Sequence, residues 1–146
     1  MASDFTVIFN DRLHFGSNPG CFDDASIFQV ERLEPGVTYV GAEKSILFET
    51  PGVDLHQPAV LMYESFDITL PRNVIKVNST EIRGGIPATS RRGEWKGNLC
   101  ILEPGCLVKD QPNRLFVEAR GETDDPETNR DNFILTSAVL FYKTLA

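Results

Sequence analysis

Glycine, proline and Asn/Asp clusters interrupt this chain so often that no stretch between them can supply a core-organising helix. Glu34-Pro35-Gly36, Leu70-Pro71-Arg72, Gly84-Gly85, Ile86-Pro87, Gly93, Pro104-Gly105 and Gln111-Pro112-Asn113 are all turn chemistry. Between them lie short runs rich in β-branched and aromatic residues, at 5–9, 27–33, 37–40, 45–49, 59–70, 73–78, 99–102, 114–120 and 133–143. Such runs read as strands, and their number and spacing predict an antiparallel β-sandwich or barrel. A short acidic-capped helix after Asp23-Asp24 competes with a strand there. Parallel α/β folds are excluded, because their helical crossovers have no amphipathic segment to form them. With 146 residues, 41% of them apolar, the chain is sized for one domain, 1–146, with a core of its own.

Acidic side chains outnumber basic ones 21 to 14, and the net charge of −7 excludes a nucleic-acid backbone or an anionic membrane surface as partner, since each requires a basic footprint. No apolar run approaches the length of a membrane span, and the start MASDFTVIFND lacks the pattern of a secretory leader. The expected location is cytoplasmic, or secreted if a leader has been removed. Cys21, Cys100 and Cys106 form an odd set without a C-x-x-C, and read as buried structural thiols. His14 and His56 have no metal-site spacing, so zinc has no support. Phosphate-loop, dinucleotide and G-x-S-x-G motifs are all missing from the sequence.

The order of elements in the second half carries a resemblance. Val77-Asn78-Ser79-Thr80-Glu81 matches a V-N-G-x-x turn, with Ser79 in place of the glycine. Pro104-Gly105 followed by Asn113 to Ala119 matches a pG-x-N-x-L-x-V-x-A strand, and Asn129, Asp131 and Phe133 match an N-x-D-x-F entry to the last strand. Over residues 59–143 the chain resembles the galactose-binding-like jelly rolls, the superfamily of many carbohydrate-binding modules. The resemblance implies an all-β, antiparallel jelly-roll sandwich, with a sugar held by loops at one end and a structural calcium near Asp131.

Two constellations fit that chemistry. Residues 83–98 concentrate Arg83, Arg91, Arg92 and Lys96 around the sole tryptophan, Trp95, and end on Asn98. An aromatic face stacks on the C–H surface of a sugar, while guanidinium and amide groups meet its hydroxyls. The opposing reading has Trp95 packing against the sandwich and the arginines solvated. The stretch 121–132 offers Glu122, Asp124, Asp125, Glu127, Asn129 and Asp131, oxygen donors of the kind calcium takes, although without the glycine and terminal glutamate of an EF-hand. Asp131, Asp124 and Asp125 are the candidate ligands, and the alternative is a solvated acidic loop. No cofactor is required by any motif.

The function expected from these residues is non-catalytic binding of a carbohydrate or another small neutral ligand. An assembly subunit forming a homo-oligomer is the first alternative, and a small β-sandwich enzyme with an internal apolar pocket lined by some of the ten phenylalanines is the second. The run Ala138-Val139-Leu140-Phe141-Tyr142 bears on this choice: it reads as a central strand buried on both faces, or as one strand of a subunit interface. Asn78-Ser79-Thr80 satisfies the glycosylation pattern and reads as a turn.

Overall fold

The computed structural model describes residues 2–22, 36–89, 93–122 and 130–145. It is an all-β sandwich. The strands are β1 (Ala2–Phe9), β2 (Arg12–Phe15), β3 (Val37–Gly41), β4 (Glu43–Phe48), β5 (Ala59–Phe66), β6 (Val74–Val77), β7 (Thr80–Glu81), β8 (Trp95–Leu102), β9 (Asn113–Glu118) and β10 (Phe133–Thr144). One sheet runs β3-β2-β10-β5-β8, with β1 continuing beyond β2 along the same side of β10; the other runs β4-β9-β6-β7. Among the described strands β2 and β3 pair parallel, and the remaining pairs are antiparallel. No described helix is long and apolar enough to cross a membrane.

Period-two alternation builds the core. Leu13, Phe15, Leu61, Tyr63, Leu135, Leu140 and Tyr142 of the larger sheet are buried in one cluster with Phe48, Ile75, Val77, Leu115 and Val117 of the smaller sheet. Phe15 and Phe133 stack with ring centroids 5.5 Å apart.

Alternation is broken once in β10 and once in the β1–β2 arm. The β10 register against β5 shifts between Thr136 and Val139, around Ser137 at φ 53°, and the β1 register shifts between Val7 and Phe9. Each bulge adds one residue and reverses which face the following side chains take. β5 and β8 run through without such a shift.

The strands expected at 5–9, 37–40, 45–49, 73–78, 99–102, 114–120 and 133–143 are present, with boundaries moved by a few residues. The strand expected over 59–70 ends at Phe66, because Asp67 turns the backbone to φ 60°. β2, only four residues long, and β7, only two, carry too little pattern to be read beforehand. The strand expected at 27–33 and the helix after Asp23-Asp24 lie outside the described residues.

Candidate functional site

Three sequence candidates sit at places that change their meaning. Trp95 and Asn98 were expected on a loop, but both belong to β8, because residues 95–102 pair with β5 throughout: Phe66 opposes Trp95 and Tyr63 opposes Asn98. The Trp95 ring lies 5.0 Å from that of Phe66, and the Arg12 guanidinium sits over it at 5.6 Å. Asn98 is buried; its amide donates to Ser65 Oγ at 2.9 Å and to the Lys96 carbonyl at 3.3 Å. Arg83 is exposed, just past β7. Arg91 and Arg92 lie outside the described residues.

Asp131 is a buried carboxylate whose oxygens already meet four donors. Thr69 N (3.0 Å), Leu70 N (3.1 Å) and Asn73 Nδ2 (2.8 Å) reach one oxygen, and Thr69 Oγ1 (2.8 Å) reaches the other. It ties the connection after β5 to the entry of β10, a role that uses the lone pairs a cation would need. Asp124 and Asp125 lie outside the described residues, and among those described no three His, Cys, Asp or Glu side chains gather as a metal site. Asn78, at φ 54°, is a second polar staple. Its amide donates to the Cys106 carbonyl (2.8 Å) and Asn113 Oδ1 (2.9 Å), and its oxygen accepts from Arg114 N at 2.9 Å.

Between the sheets, on the inner side of β5 and β8, the Tyr63 hydroxyl, with Cys100 as its polar neighbour, and Asn98 Oδ1 are buried without a partner in good hydrogen-bond geometry among the described residues. Burial, and secondarily the neighbouring Cys100, pushes the Tyr63 phenol well above its usual range. Burial also raises the Cys100 and Cys106 thiols. These groups stay protonated at neutral pH, and activated nucleophiles would require the opposite shift.

The outer face of the larger sheet divides into two halves. In one, Tyr39, His14, Ile134, Phe66 and Trp95 oppose one another in a row across β3, β2, β10, β5 and β8. The segment after β2 folds back over this row. Phe22 meets His14 edge-on at 4.6 Å and Phe66 at 5.8 Å, and Cys21 packs beside them. Tyr39 donates its hydroxyl to the Gly16 carbonyl at 2.7 Å, and Asn132 Oδ1 lies 3.1 Å from His14 Nε2 while accepting from Asn18 N at 3.2 Å. Gly16 at φ 150° must lack a side chain, since a Cβ there would overlap the Asn132 carboxamide.

The other half carries two cross-strand rows, Phe5–Phe141–Val60–Ile101 and Val7–Val139–Met62–Leu99. All eight side chains are apolar, and nothing among the described residues packs over them. Phe5 is 60% exposed, Leu99 61% and Ile101 65%. A shallow concavity of about 470 Å³ opens among Met62, Leu99, Val139 and Phe141, with Glu64 and Gly97 at its margin. The run 138–142 is therefore central in its hydrogen bonding, paired to β1 and β5, but burial on both faces is not found: Leu140 and Tyr142 are buried while Phe141 is 43% exposed.

No family model, no curated protein and no solved structure matches this chain. The class that the fold defines is an all-β sandwich.

Proposed function

We propose that this protein is a non-catalytic assembly subunit that pairs with a second copy through the bare outer face of β1, β10, β5 and β8. The observation that carries the reading is the pair of apolar rows. A monomer normally exposes contiguous apolar patches of only a few hundred Å². At 42–65% exposure, Phe5, Val7, Met62, Leu99, Ile101 and Phe141 alone present on the order of 600 Å², approaching the roughly 800 Å² each partner gives to a stable interface. Two sheets can stack face to face through such rows at about 10 Å, as the two sheets within the sandwich do. The raised thiols and phenol favour a structural role over a catalytic one. Support for sugar binding by the 83–98 region is weaker, because Trp95 packs against Phe66 and Arg12, Asn98 bonds inward to Ser65, and Arg83 stands apart in the other sheet's connection.

Sedimentation equilibrium tests the proposal. The expected result is a dimer that dissociates in the micromolar range or below, and a monomer for the Leu99→Glu/Phe141→Glu variant with unchanged circular dichroism. A wild-type protein that stays monomeric at about 100 μM would remove the reading, since so weak an association leaves little of the face buried in practice. Selective glycan-array binding that is abolished by Trp95→Ala would reinstate the carbohydrate reading in its place.

A further inference from the structure

This inference rests on the pairing proposed above and concerns its orientation. We infer that the two copies pack head to tail, about a two-fold axis that runs across the strands between the two apolar rows, so that each Lys143 approaches Glu64 of the other copy.

Face-to-face packing of identical sheets permits two symmetric arrangements, with the axis along the strands or across them. The margins of the bare face differ. At one end stands Lys143, exposed on β10 opposite Ser3. At the other end β10, β5 and β8 contribute Thr136, Glu64 and Gly97 in register. Immediately beyond that second margin rises the cap of Phe22 and Cys21 over Phe66, Ile134 and Trp95.

An axis along the strands lays equal ends on equal ends. Cap would then meet cap, holding the sheets apart by an extra layer of side chains where the apolar rows need contact. It would also set Lys143 one strand spacing, about 4.8 Å laterally, from both Lys143 and Glu103 of the other copy, so that charge at this margin nearly cancels and the caps decide.

An axis across the strands removes the collision of caps. Each cap then lies past the Lys143 margin of the other copy. The row Phe5–Phe141–Val60–Ile101 faces Val7–Val139–Met62–Leu99, strand upon corresponding strand. Lys143 on β10 falls above Thr136 of the other copy, one strand from Glu64. Arg12, on the same margin, leans across to the Trp95 ring, and Glu103, just past β8, has the uncharged Gly97 opposite it. The two-fold repeats the Lys143–Glu64 approach, giving two such pairs per dimer.

Charge exchange at these two exposed positions tests the orientation separately from the pairing itself. Lys143→Glu alone and Glu64→Lys alone should each weaken self-association by roughly five- to tenfold, the size expected for two rim ion pairs turned repulsive. The double variant Lys143→Glu/Glu64→Lys should return to within about twofold of wild type, and an equimolar mixture of the two single variants should form the heterodimer in preference to either homodimer. In the equal-end arrangement Lys143→Glu would lie beside Glu103 of the other copy and the double variant would bring no exchanged pair of opposite charges together, so unchanged affinity in both singles, or singles weakened without rescue by the double, overturns the head-to-tail inference while the dimer stands. A monomeric wild type removes the pairing and the orientation together, and circular dichroism of each variant separates misfolding from dissociation.

Discussion

The capped and bare halves of one sheet face are both built from aromatic, β-branched and sulfur-bearing side chains, yet among the described residues only the capped half is covered by its own chain. Tyr39, His14, Ile134, Phe66 and Trp95 are covered by Phe22 and Cys21, and the cap is fastened by polar bonds from Tyr39, Asn18 and His14. Phe5, Phe141, Leu99 and Ile101 have no such cover among the described residues. Hydrophobic burial in the first case stabilises the monomer; in the second the same free energy is available for association. In the proposed pairing, a face is thus divided between folding and assembly by where a single connection passes.

Uncapping should give the largest effect. Phe22→Ala removes the ring that bridges His14 and Phe66, and is expected to cost about 3 kcal/mol in a urea titration, in the range for a buried aromatic truncated to alanine. It also leaves Phe66 and Ile134 open, so the variant should associate more strongly and less specifically, which light scattering would reveal. Unchanged stability would mean that the cap contributes contact without energy.

A smaller effect should come from alkali, and it belongs to the bare half. On the inner side of that half lie Tyr63, Tyr142 and Cys100, all raised chiefly by burial. Groups that bind protons more tightly folded than unfolded give stability that is full below their unfolded pKa and is lost as pH rises through the folded one. Stability should therefore hold up to about pH 9 and fall from there toward pH 11, and in a Tyr39→Phe variant, which keeps only the buried Tyr63 and Tyr142, tyrosinate absorbance at 295 nm should appear only as the chain unfolds. Gradual tyrosinate formation in that variant while it is still folded would contradict the burial of Tyr63 and Tyr142.

The smallest change in folding stability should follow substitution on the bare surface itself. Phe5→Thr keeps β propensity and removes one exposed ring that lies 6.1 Å from Phe141, and should alter monomer stability by no more than about 0.5 kcal/mol. Its effect on association should be the larger of the two. A loss of several kcal/mol in the monomer would show that Phe5 is covered within its own chain.

Much of this architecture is legible in the sequence, because period-two runs and turn residues act locally. The long strands, and the lack of a core helix among the described residues, follow from such signals, while the burial of Cys106 follows from an odd cysteine count without a C-x-x-C. What the sequence hides is the neighbour across the sheet. Trp95 and Asn98 look like loop residues beside Arg91, Arg92 and Gly93, and only pairing with Phe66 and Tyr63 makes them strand. Asp131 looks like a calcium ligand among other acids until Thr69, Leu70 and Asn73 arrive from some sixty residues away to occupy its oxygens. The bare face had a signal in the run 138–142, whose continuous apolarity admitted an interface strand; what was missing was that Phe5, Met62, Leu99 and Ile101 align with it, which no single run records.

The two bulges have a consequence for how this chain can vary. Because Ser137 adds one residue to β10, Ile134 and Phe141 look out from the same side although an odd number of positions separates them, and the shift between Val7 and Phe9 keeps β1 in step. Deleting Ser137 would act like a frameshift confined to one strand: every letter after it would be kept and every one misread. Lys143 would be driven between the sheets while Leu140 and Tyr142 turned to water. Length at this point is thus more constrained than identity, and variation along β10 should take the form of exchanged residues rather than gained or lost ones.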